Sequence, residues 1–192
     1  MDDVKNILLC GVGGQGTILT SKILTEGLLK AGFDVKMSEV HGMAQRGGSV
    51  STQVRYGEKV HSPLFGKGQA DVCVAFERME AVRYAELLKP DGICIVNDYR
   101  LTPMSVATGA AVYPENALEA VSKAFKTIVI PAGEIAAGLG NVRVMNIVLL
   151  GALVNTIASD LSAVDWENVI ASQVPEKLLN VNLEAFRAGL TA

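Results

Sequence analysis

The residues best placed to do chemistry are glycines. Gly11-Val12-Gly13-Gly14-Gln15-Gly16 separates a short apolar run, Asn6 to Cys10, from a stretch with helical spacing. Strand, glycine turn and helix start, in that order, are the context in which a G-x-G-x-x-G pattern cradles a phosphate. Gly11 permits the tight turn, Gly13 lets an anion approach the backbone, and Gly16 lets helix and strand pack closely. The helix start adds unpaired N–H groups and a positive partial charge. In a dinucleotide site, an acid about 20 residues further on holds the ribose, and Glu39 lies near that place. A nicotinamide site and a turn needed only for packing both stay open at this point, and Gly14 and Gln15 are unusual enough in the fingerprint to leave room for others.

A second loop, Ser38-Glu39-Val40-His41-Gly42-Met43-Ala44-Gln45-Arg46-Gly47-Gly48-Ser49, follows the second expected strand. It belongs to the same rim as the glycine turn, where open α/β sheets bind ligands. Arg46 has the fork to pair with a phosphate or carboxylate. Gly42, Gly47 and Gly48 let backbone amides turn outward. The plainer reading is a solvated loop carrying an exposed arginine. His41 and His61 have no Cys or Ser partner at a diagnostic spacing and read as structural. Glu77 and Glu80 flank Arg78 at a helix start, where capping is expected of them. Asp98 reads as a turn residue or a ligand contact. There is no G-x-S-x-G, Walker lysine or H-E-x-x-H, so no self-contained catalytic set is visible.

The elements that must hold these loops alternate. Strands are expected at Asn6–Cys10, Asp34–Val40, Val72–Phe76, Ile93–Asn97 and Thr127–Ile130, with Ala111–Tyr113 continuing the alternation. Ser51–Tyr56 and Lys59–Ser62 suggest a hairpin around Gly57-Glu58. Helices are expected over Thr17–Ala31, Glu80–Leu88, Ala117–Phe125, Val144–Ile157, Asp165–Val174 and Pro175–Ala188. The order predicts an α/β fold: a single Rossmann-like domain over 1–192, with a mostly parallel sheet, helices on both faces and a helical C-terminal third.

Composition narrows the function classes. The chain has 192 residues, 49% of them hydrophobic and 19% charged, with 17 basic against 20 acidic side chains. That excludes intrinsic disorder and offers no basic cluster for nucleic acid or an anionic membrane. No apolar run approaches the roughly 20 residues of a membrane span. The start Met1-Asp2-Asp3 is acidic, unlike a secretory signal. Cys10, Cys73 and Cys94 lie in apolar runs without a C-x-x-C and read as small core hydrophobes. A reducing, cytoplasmic setting is expected.

The glycine turn, the string Ser38 to Val50 containing H-G-M-A-Q-R-G-G, and the later Asn146-Ile147-Val148-Leu149-Leu150-Gly151-Ala152 together resemble the gamma domain of 2-oxoacid:ferredoxin oxidoreductases, in its indolepyruvate branch. The similarity runs over nearly the whole chain. It implies the small, non-thiamine subunit of an enzyme that decarboxylates aryl pyruvates oxidatively, acylates coenzyme A and reduces ferredoxin. Thiamine diphosphate, magnesium and iron–sulfur clusters are then expected on a larger partner subunit, with coenzyme A as co-substrate and no cofactor held by this chain alone. It further implies that Gly11, Gly13, Gly14 and Gly16 shape a loop whose amides face coenzyme A phosphates or the partner. Gln15 would donate a side-chain hydrogen bond there, and Gln45, Arg46 and Gly47 would lie at the subunit junction or coenzyme channel. No residue of this chain is expected to be catalytic.

Overall fold

The computed structural model describes residues 4–42, 47–161 and 164–192. In chain order the strands are β1 (Lys5–Val12), β2 (Asp34–His41), β3 (Ser49–Gly57), β4 (Ala70–Ala75), β5 (Leu88–Asn97) and β6 (Lys126–Ile130). The α-helices are α1 (Thr17–Lys30), α2 (Arg78–Tyr84), α3 (Met104–Ala107), α4 (Ala117–Ala124), α5 (Ala132–Gly138), α6 (Met145–Thr156), α7 (Ala158–Leu161), α8 (Trp166–Gln173) and α9 (Leu179–Leu190).

The six strands form one sheet in the order β2-β3-β1-β4-β5-β6. β1, β4, β5 and β6 are mutually parallel, and β3 runs antiparallel between β1 and β2. The mostly parallel α/β expectation therefore holds, with β3 as the exception. Period-two alternation sorts the strand side chains into two cores. Ile7, Leu9, Val72, Val74 and Ile95 face a large core shared with α1, α5, α6, α8 and α9. Leu8, Cys10, Cys73, Ala75 and Cys94 face a smaller one built with α2 and α4. Helices thus cover both faces, unequally.

α6 explains the weight of the larger side. Every residue from Asn146 to Val154 is buried, as a helix apolar all round must be. It lies against α9 so closely that a Cβ on Gly151 would sit 2.3 Å from the Phe186 carbonyl oxygen, and one on Gly189 2.0 Å from that of Val148.

Two expected strands are absent. Residues 59–62 form no hairpin with β3, because β3 already pairs along both edges, with β1 and with β2. The segment is instead tied by side chains: the Asp34 carboxylate accepts from Val60 N at 2.9 Å, and Arg55 donates to the carbonyls of Ser62 and Leu64 at 2.9 and 3.0 Å. Ala111–Tyr113 is not a strand either. β5 and β6 pair directly, from Ile93↔Lys126 to Asn97↔Ile130, which leaves no place for another strand between them. Lastly, Pro90-Asp91-Gly92 lies inside the irregular start of β5, where the register with β4 shifts, rather than in a turn before it.

Candidate functional site

The chain leaves β1 for one side of the sheet and reaches β4 on the other, so the switch point lies between β1 and β4, where α/β sheets bind ligands. Three segments meet there: the glycine turn after β1, the loop after β4, and Gly47–Ser49 at the start of β3. With the segments after β5 and before α6 they line a groove of about 1720 Å³.

The glycine turn is held from within. Gly14 and Gly16 adopt left-handed φ of 99° and 86°, open to glycine at little cost. Gly13 N donates to the Gly48 carbonyl at 2.8 Å, joining this turn to the second loop. Gly11 is the last but one residue of β1, and a Cβ there would lie 2.8 Å from Phe76 Cβ and 2.9 Å from Gln15 Oε1. Gly11 is thus still strand, paired with Val50, and its role is close packing against the end of β4 rather than the turn expected of it. Gly16 allows a close approach, but to α6 rather than to a strand: a Cβ would meet Asn146 Nδ2 at 2.7 Å. Asn146 Nδ2 points at the Gly16 carbonyl at 3.4 Å, and Thr20 Oγ1 donates to the carbonyls of Gly16 and Asn146 at 3.2 and 3.3 Å.

Gln15 faces inward. Its Oε1 accepts from Val12 N at 2.7 Å and its Nε2 donates to the Phe76 carbonyl at 3.1 Å. The side chain expected to donate to a ligand is thus engaged by the fold, and it shapes the loop instead. α1 begins at Gly16 with no side-chain cap and no acid in its first turn, so its positive end is uncompensated by protein.

Gln45 and Arg46 lie outside the described residues. Gly47 is exposed, with φ 80°, beside the groove it helps to line. Glu39 does not reach β1. It sits in β2, with β3 between, so its strand is about 10 Å away at the usual inter-strand spacing. Its Oε1 is 3.5 Å from Ser21 Oγ. The acid that a dinucleotide fingerprint requires is therefore out of place.

Arg143 and Arg83, which the sequence did not single out, also line the groove, and ion pairs and hydrogen bonds tie down its surroundings. Arg143 lines it with no ion pair or side-chain hydrogen bond among the described residues. Arg83 pairs with the buried Glu80 at 3.0 Å, and Ser49 Oγ donates to that same carboxylate. Arg78 Nε donates to Asp98 at 2.7 Å, which places Asp98 in an ion pair at the rim. Asn97, fully buried, donates to the Phe76 carbonyl at 3.2 Å and accepts from Ala132 N at 3.1 Å. The Phe76 carbonyl thus receives both Gln15 and Asn97.

The capping expectation for Glu77 is met: its Oε2 accepts from Met79 N at 2.6 Å and Glu80 N at 3.2 Å. The other oxygen accepts from Leu101 N at 3.2 Å and Tyr113 Oη at 2.5 Å. Burial, and then the bond to Glu77, push the Tyr113 phenol above its ordinary pKa.

The cysteines are core residues, with Cys10 and Cys73 Sγ 3.7 Å apart. Burial raises the Cys10 thiol. The contact with Cys10, then burial, raises Cys73 against an opposing contact with Cys94, and the contact with Cys73, then burial, raises Cys94. Such thiols are poor nucleophiles and poor ligands. Among the described residues, no group of three or more His, Cys, Asp or Glu is arranged to hold a metal, and no helix is long and apolar enough to cross a membrane.

Residues 6–192 match the family described as pyruvate ferredoxin/flavodoxin oxidoreductase. The chain is 41% identical over 191 residues to the indolepyruvate oxidoreductase subunit IorB of Pyrococcus horikoshii, covering 97% of this chain and 95% of that one. Among solved structures it is similar to the keto/oxoacid ferredoxin oxidoreductase gamma subunit of Geobacter sulfurreducens, with a TM-score of 0.71 and 27% identity over 98% of this chain and 99% of the other. It shares its fold with part of the 2-oxoglutarate:ferredoxin oxidoreductase of Magnetococcus marinus, with a TM-score of 0.74 and 22% identity over 100% of this chain and 31% of that one. A match over nearly all of its length, on a fold that these structures share, places the chain in the pyruvate ferredoxin/flavodoxin oxidoreductase family.

Proposed function

We propose that this chain, as one domain over 1–192, is the small subunit of an indolepyruvate oxidoreductase and that its groove receives coenzyme A. The complex converts aryl pyruvates to aryl-acetyl-CoA and carbon dioxide, passing electrons to ferredoxin. Thiamine diphosphate with magnesium, and the iron–sulfur clusters, belong to a larger partner subunit, where they supply the decarboxylation chemistry and the electron path. The setting proposed is the cytoplasm.

One observation carries the coenzyme assignment: the uncapped start of α1, framed by the left-handed Gly14 and Gly16, opens on the groove at the switch point. Backbone N–H groups and the helix dipole there suit a phosphate. Arg143, without an ion-pair partner among the described residues, supplies a full positive charge on the groove wall. Gln15 fixes the loop through Val12 and Phe76. Gly47 lies on the same rim, and Gln45 and Arg46, which precede it in sequence, are assigned with it to the coenzyme channel or the subunit junction. This chain's part is to bind and orient the acyl acceptor. The nucleophile is the coenzyme's own thiol.

The reading is tested by Gly13→Val in the assembled complex. A side chain there should raise the KM for coenzyme A while the subunits still assemble. Lost assembly with unchanged coenzyme dependence would assign the loop to the partner interface instead. Arg46→Ala should weaken coenzyme or substrate binding by about 1.5–3 kcal/mol if it serves the anion. Unaltered kinetics would leave Arg46 as a surface residue.

A further inference from the structure

The wall of the groove that follows β5 has an unusual make-up. From Leu101 to Tyr113 the chain runs Leu-Thr-Pro-Met-Ser-Val-Ala-Thr-Gly-Ala-Ala-Val-Tyr, without one charged residue. Most of it is exposed, including the apolar Met104 at 77% and Val112 at 91%. Its only helix is the four-residue α3. Leu101 to Met104 line the groove directly. Long connections of little regular structure beside a site are commonly functional.

Both feet of this segment are fastened to one atom. Leu101 N and Tyr113 Oη donate to the same Oε1 of Glu77, at 3.2 and 2.5 Å. Glu77 itself is wholly buried at the end of β4 and caps α2 with its other oxygen. Arg100, just before the first foot, lies over the Tyr113 ring at 4.2 Å and pairs with Glu115 at 2.7 Å, reinforcing the second. Arg78 N donates to the Tyr99 carbonyl at 3.1 Å, anchoring the approach to the first. A carboxylate with four donors on it is a rigid post. Between its feet the segment is attached by little else.

We propose that Glu77 is a positioning residue for the acyl acceptor, and that the neutral segment 101–113 which it pins is a flap lying along the uncharged amide–alkyl arm of coenzyme A. The inference rests on the coenzyme reading above and deepens it. The anionic end of the coenzyme takes the N–H groups at the start of α1, Gly13 N and Gln15 N being engaged by the Gly48 and Val12 carbonyls. The coenzyme's arm needs an apolar wall without competing charge, and the flap supplies one through Leu101 to Met104. Glu77 touches no substrate; it acts by setting where the flap stands.

The test uses the reconstituted complex of this chain with its large subunit. Tyr113→Phe removes one foot and leaves the α2 cap intact. The KM for coenzyme A should rise about three- to tenfold, with kcat and the KM for indolepyruvate within about twofold of the parent. Glu115→Gln, at an exposed residue outside the groove lining, releases Arg100 from the second foot, should shift the same constant in the same direction and serves if Tyr113→Phe fails to assemble. Hydrogen exchange supplies a readout independent of turnover. Amides of 102–112 should exchange faster in Tyr113→Phe, and coenzyme A should slow them in the parent complex. A loosened flap with an unchanged KM for coenzyme A, or a flap no looser in the variant, would overturn the proposal. Coenzyme protection at residues 13–19 in those same experiments would leave the coenzyme reading standing. Absence of coenzyme protection anywhere on this chain would overturn both.

Discussion

Gln15 Nε2 and the Phe76 carbonyl oxygen are 3.1 Å apart, and this contact ties the glycine turn to the end of β4. With Oε1 on Val12 N, the carboxamide replaces two backbone partners that the turn itself cannot supply. Gln15→Ala would leave a buried N–H and a buried carbonyl with weakened pairing, at a cost of about 1–3 kcal/mol. Urea unfolding of the purified chain measures this. The same variant should raise the KM for coenzyme A in the complex, because the loop loses its brace. Unchanged stability would show that the turn holds without it.

Arg143 makes the opposite prediction. It is exposed and unpaired among the described residues, so Arg143→Ala should leave the unfolding midpoint unmoved. Coenzyme A binding should weaken by about 1.5–3 kcal/mol, the range for a hydrogen bond to a charged group. Isothermal titration of the complex checks this, and equal affinity in the two proteins would remove Arg143 from the site.

The crossing of α6 and α9 has no room for a methyl group. Gly151→Ala and Gly189→Ala each drive a Cβ into a backbone carbonyl, at 2.3 and 2.0 Å. Each should cost about 3 kcal/mol as the helices separate, which for a domain of this size lowers Tm by roughly 6–12 °C. The two effects should not add, since one separation relieves both contacts. Scanning calorimetry of the single and double variants decides.

Tyr113 carries a pH signature. Its phenol is held above the ordinary tyrosine value by burial and by Glu77, so the folded state keeps its proton where the unfolded chain has lost it. The stability this contributes is complete below the unfolded value of about 10 and is lost as pH rises through the folded one. Tyr113→Phe should therefore flatten the alkaline fall in stability. In a spectrophotometric titration at high pH, the variant should lack one phenol that ionises above the ordinary tyrosine range. A titration that loses an early-ionising phenol instead would place Tyr113 in water.

Much of this arrangement was legible in the residues. Apolar runs marked β1, β4 and β5, and helical spacing with a closing glycine marked α1. The continuous apolar stretch after Asn146 marked α6. The glycine pattern gave away the turn, and its place between strand and helix located it at the rim. What periodicity cannot carry is which strand lies beside which. Ser51–Tyr56 alternates well, but nothing local says that it inserts between β1 and β2. The Gly57-Glu58 signal pointed to a hairpin partner that β3 has no free edge to accept. That insertion is also what moves Glu39 away from the turn. Long-range pairs were equally silent. Glu77 was readable as a cap because its donors follow within three residues, whereas Tyr113 lies 36 residues away. Arg143 belongs to no pattern, and only the groove distinguishes it from other surface arginines.

In the function proposed above, this chain works only as a subunit, supplying the coenzyme-binding half of a thiamine-dependent site. The most direct measurement is anaerobic reconstitution. The purified chain, the large subunit and the two combined would each be assayed for indolepyruvate- and coenzyme A-dependent reduction of ferredoxin. No turnover is expected from this chain alone, and full, saturable coenzyme dependence once the two are combined. Undiminished, coenzyme A-saturable activity from the large subunit alone would contradict it.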